Sequence, residues 1–172
     1  DENRLGLARV LAARAAQEMR ALPQRERHIQ EAAGHGAELA ALLFEAEAQL
    51  GIKDAAAALV AINRAKEIAP QHTALLRIEL KARQLIGQWD EVDKLLDALA
   101  RSNALESGVA LQVRRKAYAE NLKRRAEDDR ALLEYWKKIP ADFKADASVA
   151  RAAVLAFMQR GGHDTALDAL EY

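Results

Sequence analysis

The sequence predicts an all-α protein assembled from helical hairpins, and three observations carry that prediction. Apolar residues make up 51% of the chain while aromatic residues make up only 5%, and the surplus is mostly Ala and Leu, a mixture that favours helix over strand. Gly and Pro fall at intervals that separate runs of helical length. One spacing of small and branched apolar residues recurs at a constant offset without a gap, Ala58, Ile62 and Ala65 being answered by Val92, Leu96 and Leu99. At 172 residues the chain suits a single domain spanning 1–172, large enough to bury a sizeable core.

Helices are predicted over 4–21, 24–34, 37–51, 54–68, 72–87, 89–100, 106–123, 127–138, 147–160 and 163–172, and no strand survives the same scan. Pro23 sits where the second helix begins, a position at which its missing N–H costs nothing. Gly34 and Gly36 end that helix, and Gly51 falls at the turn after the third. Asp54 ahead of Ala55-Ala56-Ala57 is the expected N-cap of the fourth helix, which Pro70 follows. Gly87 turns the chain from the fifth helix into the sixth, and Pro140 follows the eighth. Ser148 is the expected cap near the start of the ninth, and Gly161-Gly162 separates it from the tenth. These helices pair into about five hairpins.

Ala58, Ile62, Ala65 and Pro70 have the spacing of the second helix of a tetratricopeptide repeat and its stop. One repeat later stand Val92, Leu96, Leu99 and Ala104, with Gly87-Gln88-Trp89 in the turn. Arg25, Ile29 and Ala32 form a weaker copy, and Leu132 before Pro140 a degenerate one. Gly161-Gly162-His163-Asp164-Thr165-Ala166 repeats the turn. Stacked hairpins of this kind bury a continuous core in a right-handed superhelix, an α-solenoid whose concave face is lined by the first helices. That register places Leu43, Glu47 and Leu50 of one hairpin and Arg77, Lys81 and Gln84 of the next on the groove. The first helices depart from the repeat pattern at Glu45 and Gln49 and again at Glu79 and Arg83. Either Glu79 and Arg83 form an exposed i,i+4 pair worth a few tenths of a kcal/mol, or these positions are a polar strip facing a ligand groove.

Charge and chemistry narrow the function mainly by exclusion. Lys plus Arg and Asp plus Glu both number 26, so no net field draws the chain to nucleic acid. With no Cys there is no thiolate nucleophile, disulfide framework or Cys-based zinc site. Ser102, Ser107 and Ser148 lack a nucleophile-elbow turn or a His-Asp arrangement, so no catalytic residue is expected. His28 and His35 are separated by a helix end, which argues against a shared metal. The densest charge run lies in 112–130, where Arg114, Arg115, Lys116, Lys123, Arg124 and Arg125 surround Tyr118. It is either a solvated helix or a basic patch for an acidic partner, anionic lipid or the carboxylates of a tetrapyrrole.

Pro70-x-His72 leading through Leu76 to Gly87-x-Trp89, then Leu95-Leu96 and Leu99, resembles the tetratricopeptide region of the proteobacterial HemY-type proteins, associated with haem biosynthesis. Similar words are 42-LLFEAEAQL-50, Lys116-Ala117-Tyr118, 135-YWKKIP-140 and 161-GGHDTALDAL-170, so the resemblance spans nearly the whole chain. Lys53, where the repeat turn usually has Gly, and Gln88, where Asp is usual, depart from the generic repeat.

The resemblance implies a non-enzymatic scaffold, the soluble part of a longer inner-membrane protein anchored by N-terminal helices. Its domain would face the cytoplasm, and its partner would be a protein such as a haem-pathway enzyme. The chain shows neither a signal peptide nor a membrane span, and its last helix lacks a stop signal, which fits a fragment. No strand followed by G-x-G-x-x-G is present, so flavin-dependent oxidase activity is not expected. No cofactor is expected. The alternatives are a haem or porphyrin carrier using His72 or His163 as axial ligand, although no C-x-x-C-H attachment sequence is present, and a general peptide-binding adaptor.

Overall fold

The computed structural model describes residues 2–159. Among them the fold is all-α, with ten helices and no strand: α1 Glu2–Glu18, α2 Leu22–Gly34, α3 Glu38–Gly51, α4 Ala55–Ile68, α5 Thr73–Leu85, α6 Trp89–Arg101, α7 Ser107–Arg125, α8 Asp129–Lys138, α9 Ala141–Lys144 and α10 Ala147–Met158. Nine of the predicted segments correspond to helices here. The predicted helix 163–172 and the turn at Gly161-Gly162 lie outside the described residues. The single-turn helix α9 escapes a search for longer periodic runs, because it is four residues started by Pro140.

The helix ends follow local chemistry. Asp54 Oδ1 accepts the Ala57 N–H at 2.9 Å, the expected cap of α4. Asp128 caps α8 in the same way, accepting from Ala131 N at 3.0 Å. The expected cap Ser148 is corrected to Asp146, whose carboxylate accepts both the Ser148 N–H and the Ser148 hydroxyl. Ser148 already lies inside the first turn, and a charged acceptor there also suits the positive end of the helix. At the turn after α3, Lys53 takes a left-handed φ of 63°, and its N–H donates to Leu50 O. Gly87, at the same place one repeat further on, has φ 70° and the equivalent bond to Gln84 O. The departure at Lys53 therefore changes the residue and not the turn.

The chain divides after Gly87 into two compact units. In the first, α1 packs on α2 and α3 packs on α4, while α5 lies against both α3 and α4; α1, α3 and α5 touch in succession. The repeat is visible in burial. Ala41, Leu42, Phe44, Ala46 and Ala48 are buried on α3, and each has a buried counterpart one repeat later on α5: Leu75, Leu76, Ile78, Leu80 and Ala82. The second-helix residues Ala58, Ile62 and Ala65 are fully enclosed between them. In the second unit, α6 packs on α7, which also packs on α8 and α10. Val92, Leu96 and Leu99 are buried on α6, while Tyr118, Leu122, Leu132, Trp136, Ile139 and Phe157 close a core between α7, α8 and α10.

A close approach fixes α1. A Cβ placed on Gly6 would lie 2.7 Å from Ala37 Cβ and 2.9 Å from His35 O. Gly6→Ala gains up to about 1 kcal/mol of helix propensity, but overpacking against a neighbouring backbone costs about 1–3 kcal/mol. The carbonyl cannot rotate away as a side chain could, so a net loss of about 1 kcal/mol or more is expected in urea unfolding. A more stable variant would show that α1 can shift.

Candidate functional site

Of the six residues assigned to the groove from the sequence, three come together where α3 lies against α5. Glu47, Leu50 and Lys81 converge there and, with Gly51 and Ile78, line a depression of about 370 Å³. Glu47 also accepts from Arg14 of α1 at 3.0 Å, so charges of alternating sign cross the row α1, α3 and α5. The pair is exposed and contributes little to stability. Leu43 leans instead on the core beneath, Arg77 is exposed on the surface of α5, and Gln84 is half-buried; none of the three walls the depression.

Glu79 is not on the surface. The residue is only 2% exposed, and both carboxylate oxygens accept from Lys66 Nζ, at 2.9 and 3.0 Å, while Arg83 donates to it at 3.2 Å. The expected exposed i,i+4 pair is corrected to a buried carboxylate held by two cations. Lys66, on α4, supplies the compensation that lets the carboxylate enter the helix interface, and its stem allows the ammonium to remain partly wet.

The cations of α7 are distributed around the helix, and each predicted patch residue has its own surroundings. Asp90, Asp93 and Asp97 form an i, i+3, i+7 stripe on α6 that faces α7. Arg125 reaches Asp90 at 2.7 Å, and Arg114 reaches Asp97 at 2.6 Å and Asp93 at 3.8 Å, so the two helices run antiparallel. Arg115 pairs with the helix cap Asp146 at 2.8 Å. Lys123 pairs with Glu120 at 2.8 Å, Lys116 holds its ammonium 5.3 Å from the Trp89 ring centroid, and Arg124 is exposed. The acidic stripe of α6 was readable in the sequence, since its spacing marks one helical face.

Behind this seam lies a polar network. Asn121 is fully buried; its amide donates to Tyr135 OH at 3.0 Å and its side-chain oxygen accepts from Arg125 at 3.1 Å. The Arg125 guanidinium stacks 4.2 Å from the Tyr135 ring centroid. Burial pushes the Tyr135 hydroxyl up to about 12, and burial also raises the Asp93 carboxyl, with Arg114 opposing and Asp97 and Asp90 adding to the rise. Asn121, Tyr135, Arg125 and Asp90 satisfy one another between helices, so their role is to fix the register of α6, α7 and α8, while Asp93 Oδ1 is buried without a hydrogen-bond partner.

His28 Nδ1 lies 3.6 Å from Glu31, His35 closes α2, and His72 is the exposed residue before α5; His163 lies outside the described residues. Among the described residues no group of three His, Cys, Asp or Glu side chains could hold a metal ion, and no helix is long and apolar enough to cross a membrane. Ser102 donates to the Ala98 and Leu99 carbonyls, and Ser148 donates to Asp146. Comparison of the chain with models of known families, with curated proteins and with solved structures finds no match in any of the three.

Proposed function

We propose that this chain is a non-enzymatic protein-interaction scaffold, a right-handed superhelix of tetratricopeptide-like hairpins that grips a partner segment along the row α1, α3 and α5. The observation that carries the reading is the recurrence of buried positions, repeat for repeat, from α3 to α5, with Glu47, Leu50 and Lys81 left facing a shared depression. A row of parallel first helices offers an extended partner both apolar footholds and charges of either sign. The resemblance to HemY-type proteins supports a more specific assignment: the soluble, cytoplasm-facing part of an inner-membrane protein, with a late haem-pathway enzyme as partner.

The test is calorimetric titration of the chain with purified late haem-pathway enzymes, beside an Arg77→Glu/Lys81→Glu double variant. Saturable binding to at least one enzyme is expected, weakened by at least about tenfold in the variant. Its thermal unfolding should stay close to that of the parent, because exposed substitutions change stability little. Undiminished binding would exclude this groove, and no binding to any of the enzymes would reject the haem-pathway assignment. Saturable haemin binding that disappears in His72→Ala would replace the scaffold by a tetrapyrrole carrier.

A further inference from the structure

Glu45 and Glu79 occupy equivalent positions of two successive repeats, in a register that every buried apolar residue of α3 and α5 obeys. Their surroundings differ in the cations. Glu79 is enclosed by Lys66 and Arg83. The residues one repeat before those two are Ala32 and Gln49, neither of which carries charge. The Glu45 carboxylate makes no hydrogen bond or ion pair among the described residues, and it stands half-buried in the wall of a cavity of about 240 Å³ between α2, α3 and α4.

The lining of that cavity suits a slender cation. Ile29, Ala33, Ala41 and Leu42 give it an apolar floor, and Glu26, Glu38 and Glu45 set three carboxylates against the guanidinium groups of Arg25 and Arg64. Neither arginine reaches Glu45: Arg64 lies 3.6 Å from Glu38 of the same lining, and Arg25 donates through Nη1 to Gln17 at 3.3 Å while its buried Nε has no hydrogen-bond partner. The volume falls below the roughly 300–1,000 Å³ of pockets that hold drug-sized ligands, so it accommodates one side chain better than a tetrapyrrole. We infer that this cavity binds an alkylammonium group, presented as a lysine side chain of a partner protein. The methylenes lie on the apolar floor, and the ammonium takes at Glu45 the place that Lys66 takes at Glu79. The site lies apart from the α3–α5 depression and does not depend on partner binding there.

The experiment follows the amide resonances of Ala33, Leu42 and Glu45 in the isotopically labelled chain during titration with acetyl-lysine methylamide, n-butylamine and acetyl-norleucine methylamide. Saturable shifts are expected with the lysine compound, more weakly with butylamine, and not with the norleucine compound, which has the stem without the charge. Glu45→Gln should weaken the lysine affinity by at least about tenfold. Gln49→Arg, which places a guanidinium one turn after Glu45 as Arg83 follows Glu79, should do the same while preserving the fold, because Gln49 is partly exposed. Absence of lysine-induced shifts, or an affinity unchanged in both variants, would overturn the site. An equal response to the norleucine compound would overturn the ionic basis, and butylamine binding as tightly as the lysine compound would overturn the protein source in favour of a free amine.

Discussion

Replacing Lys66 and Arg83 together with methionine is expected to lower the stability of the chain by about 3–5 kcal/mol, the cost of leaving a buried carboxylate without its cations. The reason is the 2% exposure of Glu79, which leaves it almost no water to replace the lost partners. Either single substitution should cost less, since the remaining cation still reaches the carboxylate from its own side. Adding Glu79→Leu to the double variant should recover most of the loss, because an apolar side chain of similar size removes the uncompensated charge. Urea unfolding of the set measures this directly. A double variant within about 1 kcal/mol of the parent would mean that water reaches Glu79 and that the cluster contributes no more than a surface pair.

Trp136→Ala should cost a comparable loss of about 3–5 kcal/mol, the usual range for emptying a buried aromatic site. Trp136 is 5% exposed in the core of the second unit; it meets Phe157 edge-to-face at 6.4 Å between centroids, and the Lys144 ammonium lies 5.1 Å from its ring. Deleting the indole thus removes core volume and also a cation's aromatic partner. Trp136→Phe should retain more than half of the lost stability. Far-UV circular dichroism in urea reports the unfolding, and a loss below about 1 kcal/mol would show that α8 and α10 close over the gap.

The helices and their repeat were legible in the sequence because both depend on periodic burial, which composition and spacing record. Ala58, Ile62, Ala65, Val92, Leu96 and Leu99 were placed by spacing alone, and all are buried. Pairing between distant charges was not legible. Glu79 looked like a surface residue because its decisive partner, Lys66, lies on another helix. The cations of 114–125 looked like one patch because they are adjacent in the chain, yet Arg125 answers to Asp90 and Arg115 to Asp146. The cap of α10 was missed at finer scale: Ser148 was expected, but Asp146 two residues earlier is the acceptor, two oxygen-bearing side chains falling within one turn. Glu45 departs from the repeat pattern in the sequence itself, but only its contrast with the paired Glu79 gives its cavity a chemical meaning.

The turn at Lys53 has a consequence for how such a chain can diverge. A non-glycine residue in the left-handed region gives up about 1–2 kcal/mol, yet Lys53 holds the same bend and the same hydrogen bond as Gly87. The bend therefore belongs to the local backbone and not to the residue at its corner, as a mould imposes its shape on whatever is poured into it. Mutational drift can exchange the residue at the corner while the dihedral angle and its hydrogen bond are kept. Over many generations the letters of successive repeats can become dissimilar while the architecture they encode stays recognisable in three dimensions.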